Sequence, residues 1–202
     1  CPRAVIVAAG ANPRRLGIKG EAELTGRGVS YCATCDGAFF KNQTVAVIGG
    51  GDTAVQEAVF LTRFAKKVYL VHRRDQLRAT GVLRELALSN PKIEPVWNTV
   101  TEEIEGDGAV RAVLLFNKAA GERKALPVDG VFVFAGMQPN TSFLPQDIRK
   151  DSQGFLITDE WMRTSIPGLF AAGDCRAKPL RQIVTAVGDG ATAAYAVEQL
   201  IG

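Results

Sequence analysis

Histidine is nearly absent from this 202-residue chain, which has one, and cysteine is sparse, at four. The lone His72 sits among arginines whose charge would repel a dication, and a zinc site built on Cys32 and Cys35 would need two further ligands, so no metal is expected. Four cysteines so unevenly placed form no disulfide framework, because Cys1 and Cys175 stand alone. An excess of one charge is also lacking. Lys plus Arg number 24 against 21 Asp plus Glu, a net +3, which speaks against a nucleic-acid or membrane-surface partner. No apolar run reaches the roughly 18 residues that cross a bilayer, and no secretory signal pattern is visible, so the chain reads as cytoplasmic. Internal repeats and low-complexity stretches are missing too. What remains, 47% hydrophobic, 22% charged and 7% aromatic, is the composition of a globular protein of one or two domains.

Several apolar runs end in glycine. Ala4 to Gly10 suits a short buried strand, and Gly, Pro, Arg, Lys and Glu from Ala11 to Gly28 mark a connection. Thr44 to Ile48 reads as a buried strand running into Gly49-Gly50-Gly51-Asp52-Thr53-Ala54, and Val55, Ala58, Val59 and Leu61 give the stripe of a helix packed on a sheet. Val68 to Val71 is a second strand, and the right-handed crossover rule makes the pair parallel. A helix is expected from about Thr80 to Leu88, then strands at Ile93 to Trp97, Ala112 to Phe116 and Val131 to Phe134, with turn signals at Gly106-Asp107-Gly108 and Ala120-Gly121. Near residue 136 the pattern changes. Strands at Phe155 to Ile157 and Leu169 to Ala171 and a helix from about Ala186 to Leu200 follow.

Gly49-x-Gly51-x-x-Ala54 fits the dinucleotide fingerprint: a tight turn at Gly49, close backbone approach at Gly51 and close helix packing at Ala54. A glycine-rich turn without a ligand shares the pattern, but the strand before it and the helix after it are the context a nucleotide site needs. Where an NAD site carries an acid at the end of the next strand, this chain has His72-Arg73-Arg74 with Arg78 four residues on, which favours the 2′-phosphate of NADPH. A solvated basic face is the alternative. Cys32-Ala33-Thr34-Cys35 has the spacing of a redox dithiol, with Asp36 as a candidate acid–base, against inert thiols or half a metal site.

Taken together, Gly28 to Gly37, Val47 to Ala54, His72-Arg73-Arg74 with Arg78, and Thr164 to Asp174 resemble a low-molecular-weight, bacterial-type NADPH-dependent thioredoxin reductase. The resemblance implies an α/β fold: a Rossmann-like NADPH-binding domain, three-layered with a parallel sheet and an antiparallel β-meander, followed by the C-terminal half of a second Rossmann-like FAD domain. It divides the chain at 1–12, 13–136 and 137–202, with hinge crossings near Ala11 to Arg14 and Gly136 to Asn140. Electrons would pass from NADPH through FAD to the Cys32–Cys35 disulfide and on to thioredoxin, with Cys35 beside the flavin, Cys32 attacking the partner and Asp36 as acid–base. Gly49, Gly50, Gly51, Asp52, Thr53, Ala54, His72, Arg73, Arg74 and Arg78 would bind NADPH. Gly173, Asp174, Arg181, Gln182 and Ile183 would bind FAD, Asp174 at the ribityl or pyrophosphate region.

Family members open with a Gly-x-Gly-x-x-Gly unit for the ADP half of FAD, which this sequence does not contain, so the 202 residues are expected to bind little FAD and not to turn over. The family also implies a homodimer at full length. Flavoprotein reductases of peroxiredoxin systems usually carry Pro-His between the cysteines, where this chain has Ala33-Thr34, and the arginines argue against ferredoxin as donor. A module that binds NADPH without catalysis is the remaining alternative. Cys175 is expected to pack rather than react, and Trp97 and Trp161 to be half-buried anchors.

Overall fold

The structure, a computed structural model, describes residues 2–202. Its strands are β1 (Val5–Val7), β2 (Ala11–Pro13), β3 (Val29–Ser30), β4 (Thr44–Ile48), β5 (Lys67–Val71), β6 (Ile93–Val96), β7 (Thr99–Gly106), β8 (Val110–Asn117), β9 (Glu122–Pro127), β10 (Gly130–Val133), β11 (Met137–Pro139) and β12 (Leu169–Ala171). The helices are α1 (Ala33–Asp36), α2 (Asp52–Leu61), α3 (Gly81–Leu88) and α4 (Ile183–Ile201). They form two compact units, a continuous one, Arg14–Ala135, and one joining the residues up to Pro13 with Gly136–Gly202.

In the continuous unit a parallel sheet runs in the order β3-β10-β4-β5-β6. Parallel strands covered on both faces read as unbroken apolar runs, and the two-residue alternation then decides which layer each side chain joins. Val45, Val47, Val68, Leu70 and Phe132 face the helices, packing with Ala54, Val55, Ala58 and Leu61 of α2. Ala46, Ile48, Val71, Val131 and Val133 face the other way and pack with Ile104, Val113, Leu115 and Leu126 of the antiparallel meander β7-β8-β9. Helices, parallel sheet and meander are thus three layers around two apolar seams.

In the second unit β1 pairs in parallel with β12, and β2 pairs antiparallel with β11. Phe170 of β12 packs with Ala193 and Ala196 of α4, while Ala171 packs with Val7, Ile148, Leu156 and Cys175. No helix is long and apolar enough to cross a membrane among the described residues.

Three sequence expectations need correction. The run Phe155 to Ile157 is not a strand: Leu156 makes only single bridges, to Lys150 and Arg176, and Phe155 and Leu156 are both buried instead of alternating. The opening strand is shorter than Ala4 to Gly10 and is not buried throughout, since Val5 and Ile6 are exposed and only Val7 lies inside. The last helix starts three residues early, at Ile183, because the Gln182 N–H donates to Thr185 Oγ1 at 3.1 Å and sets the first turn there.

Candidate active site

The Cys32–Cys35 pair is disulfide-bonded and lies at the start of the short helix α1. Its seat is made by Ala33, which is buried with Ala54, Ala58 and Leu61 of α2. With Ala33 inside, Cys32 is half-buried and Cys35 exposed. Cys32 Sγ accepts the Cys35 N–H at 3.2 Å and lies 3.3 Å from the Thr34 hydroxyl. Donors aimed at one sulfur favour negative charge on it.

Asp36 is anchored beside the pair. Ser30 Oγ donates to Asp36 Oδ2 at 2.7 Å and accepts the Cys32 N–H at 3.1 Å, so one buried hydroxyl fixes the acid and the backbone of the first cysteine. The neighbouring Tyr31 donates to Glu21 Oε1 at 2.9 Å, and the buried Glu21 also accepts the Leu16 and Gly17 N–H groups, which ties the irregular segment before β3 to the dithiol. Past the helix, Phe39 is 79% exposed.

Beneath α1, the half-buried Glu57 of α2 turns Oε2 inward without a hydrogen-bond partner among the described residues. Burial raises its pKa above the ordinary carboxyl value, with the Ala33 N–H opposing the rise. Sequence reasoning did not single out Ser30, Phe39 or Glu57 for a role. Ser30 and Phe39 flank the dithiol closely enough in sequence to have been suspected; Glu57 reads there as one more polar residue on an amphipathic helix.

The glycine turn between β4 and α2 is where the same unit offers its backbone. Gly50 lies against His72: a Cβ on Gly50 would collide with the imidazole ring, so only glycine fits. At Gly51 a Cβ would meet one group, Nη2 of Arg78 at 3.7 Å, so the turn is open apart from that guanidinium. The Gly50 carbonyl accepts the Arg78 N–H at 2.7 Å, and Asp52 Oδ1 accepts the Thr80 N–H at 2.7 Å. Thr53 is exposed on the first turn of α2, and Ala54 is buried where the helix meets the sheet. Arg73, Arg74 and Arg78 are exposed around this turn, whereas His72 is buried with Nε2 unpartnered among the described residues. Burial, and then the Arg78 charge, hold the His72 pKa below its usual value, so the ring is neutral at pH 7.

In the other unit Gly173–Cys175 forms a single 3₁₀ turn, with Gly173 in the left-handed region at φ 76°. The Gly173 N–H donates to Asp189 Oδ2 at 3.0 Å, and Asp189 also meets Arg176 at 2.8 Å and Lys178 at 2.7 Å, all three side chains largely buried. Burial alone would raise the Asp189 pKa, but the hydrogen bonds from Lys178 and Arg176 outweigh it and hold the group below its usual value. Asp174 buries Oδ1, which has no hydrogen-bond partner among the described residues. Arg181 stacks over the Phe155 ring at 3.8 Å and donates to the Asp174 and Arg176 carbonyls. Gln182 and Ile183 open α4, and Ile183 is 85% exposed. Cys175 is a free, buried thiol whose pKa burial raises, and Cys1 lies outside the described residues. Trp97 is half-buried, while Trp161 is more exposed and stacks on Tyr195.

The sequence profile of the pyridine nucleotide-disulphide oxidoreductase family matches residues 3–190. A thioredoxin reductase of Listeria innocua is 53% identical over 201 residues, covering 98% of this chain and 63% of its own length. One from Treponema pallidum is 52% identical over 197 residues, covering 98% and 64%. The crystal structure of thioredoxin reductase from Streptococcus pyogenes superposes with a TM-score of 0.91 at 52% identity, covering 98% of this chain and 65% of that one. The chain thus spans a little under two thirds of the length of these relatives. A disulfide on a three-layer α/β unit and a family profile across nearly the whole sequence agree, and the chain belongs to the pyridine nucleotide-disulphide oxidoreductase family.

Proposed function

We propose that the chain is the nucleotide-binding and dithiol-bearing part of an NADPH-dependent thioredoxin-disulfide reductase, together with the second half of its FAD site. The observation that carries this reading is that one unit holds both the Cys32–Cys35 disulfide, with Asp36 anchored beside it, and a glycine turn rimmed by Arg73, Arg74 and Arg78. The names of the relatives agree with it.

The residues present fit both cofactors. An open turn at Gly51 leaves backbone for a diphosphate, and the exposed arginines suit a 2′-phosphate. The unpartnered Asp174 Oδ1 suits a hydroxyl of FAD, in a turn that Asp189 holds through Gly173. When bound, FAD supplies the conversion of a hydride from NADPH into an electron pair for a disulfide.

The rest of the reaction belongs to the chain's own residues. In the reduced dithiol Asp36 takes the Cys32 proton, and the Cys35 N–H and Thr34 hydroxyl stabilise the thiolate. Cys32 attacks one sulfur of the thioredoxin disulfide; a mixed disulfide forms, and the departing sulfur takes the proton from Asp36. Cys35 gives its proton to Asp36 and attacks Cys32 Sγ, and the second thioredoxin sulfur leaves protonated. Two electrons and two protons have then moved to thioredoxin, and the Cys32–Cys35 bond has re-formed. Phe39, four residues after Cys35, offers exposed apolar surface for a protein partner.

The test needs no flavin. The 202-residue chain is reduced with dithiothreitol, desalted and mixed with oxidised thioredoxin, and thiols are trapped over time. Thiols appearing on thioredoxin as the Cys32–Cys35 pair reoxidises are the expected result, lost in Cys32→Ser. No transfer from a fully reduced, folded chain would falsify the proposal.

A further inference from the structure

Asp52 sits at the mouth of the glycine turn, where a carboxylate is electrostatically the wrong group to meet a phosphate. Its oxygen is already engaged, because Oδ1 accepts the Thr80 N–H at 2.7 Å. Two residues earlier on each side, the Gly50 carbonyl accepts the Arg78 N–H at 2.7 Å. These two hydrogen bonds form a clasp that holds the 78–80 segment along the turn, and Nη2 of Arg78 is the one atom near the position a Gly51 Cβ would take. Arg78 is otherwise free to wander: it is exposed and forms no ion pair among the described residues. A long cation held in one place by its own backbone loses less freedom on binding an anion than a loose one.

We propose that Asp52, which the resemblance would place among the NADPH-binding residues, is instead a positioning residue for 2′-phosphate selectivity: it does not touch the nucleotide, but through Thr80 it fixes the segment that carries Arg78 over the glycine turn. This rests on the reading of the turn as the NADPH site. A purely helical role, an acid at the first position of α2 favoured by the helix dipole, would strengthen the fold and leave the choice between nucleotides unmoved.

The experiment measures NADP⁺ and NAD⁺ affinities of the 202-residue chain by titration calorimetry, for the wild type and for Asp52→Ala, Asp52→Asn, Thr80→Pro and Arg78→Ala. Asparagine keeps an oxygen acceptor and should preserve the preference for NADP⁺. Alanine should lower NADP⁺ affinity about tenfold, as expected for loss of one clasp hydrogen bond, with little change for NAD⁺. Thr80→Pro removes the donor from the other side. Thr80 has φ −56° and ψ 155°, which proline adopts, so this variant keeps the test usable if Asp52→Ala fails to fold. A ratio that falls in Asp52→Ala and Thr80→Pro but not in Asp52→Asn supports the clasp. A ratio unmoved in both, or lowered equally by alanine and asparagine, overturns it. Arg78→Ala separates the two layers: if that change also leaves the ratio unmoved, the nucleotide reading itself fails, whereas a collapse in Arg78→Ala alone removes only the clasp.

Discussion

Ser30 Oγ donates to Asp36 Oδ2 over 2.7 Å while accepting the Cys32 N–H, so a buried hydroxyl joins the acid to the cysteine it would serve. In Ser30→Ala the carboxylate loses its tether and the Cys32 N–H its acceptor. Exchange between the reduced chain and oxidised thioredoxin should slow about tenfold, the rate equivalent of roughly 1.4 kcal/mol. Stopped-flow thiol trapping measures it; an unchanged rate in a folded Ser30→Ala chain removes Ser30 from the mechanism.

Gly50→Ala should weaken nucleotide binding without unfolding the sheet. The new methyl overlaps the His72 ring, and overpacking of this kind typically costs about 1–3 kcal/mol, concentrated here in the turn. The expected outcome is a loss of at least about tenfold in NADP⁺ affinity with the helical circular dichroism retained. Restoration by the double change Gly50→Ala with His72→Ala would identify the ring as the obstacle.

Acid should weaken the chain through His72. Burial and then Arg78 hold the folded imidazole below 6.5, so under about pH 6.5 the unfolded chain binds a proton that the folded one refuses. This contribution is intact above that pH and is lost as pH falls toward the folded value. Glu57 has the opposite sign. Its raised folded pKa means that the folded chain takes up a proton first, and stability is gained as pH falls through that value toward 4.5. Denaturant midpoints between pH 8 and 5, taken as wild type minus His72→Gln and wild type minus Glu57→Gln, should therefore slope in opposite directions.

Asp189→Ala strands Arg176 and Lys178, whose side chains are only 11% and 9% exposed. Removing one partner of a buried pair costs about 3 kcal/mol or more. Each unit carries one tryptophan, Trp97 in the continuous unit and Trp161 in the other, so single-tryptophan variants report them separately. Loss of stability should appear in the Trp161 signal and spare that of Trp97. An equal shift in both signals would mean that the network serves the whole chain.

Most of the parallel strands were legible because a strand covered on both faces leaves an unbroken apolar run, as in Val45 to Ile48 and Val68 to Val71; the two-residue β3 was not. The outer meander strands were not. In β7 the register slips between Thr101 and Glu103, which breaks the alternation that marks a strand, and β9 exposes five of its six residues and is rich in charge. The dithiol and the glycine turn announced themselves through local spacing. What supports them did not, because Ser30 and Asp36 are bound by a side-chain contact, and Asp52 and Thr80, or Gly173 and Asp189, meet only after the chain has folded. His72 shows the limit: adjacent to two exposed arginines in sequence, it faces inward in space.

Val5 finds its partner in Leu169, near the far end of the sequence, with the whole of Arg14–Ala135 intervening. During synthesis the intervening unit has every strand it needs once Ala135 has left the ribosome, whereas β1 must wait for β12. Until β12 emerges, Val5, Ile6 and Val7 lack the strand they pair with in the folded unit. Slowing elongation over the stretch that encodes Gly136 to Leu169 would lengthen that wait and lower the soluble yield, even though no residue of the finished protein had changed.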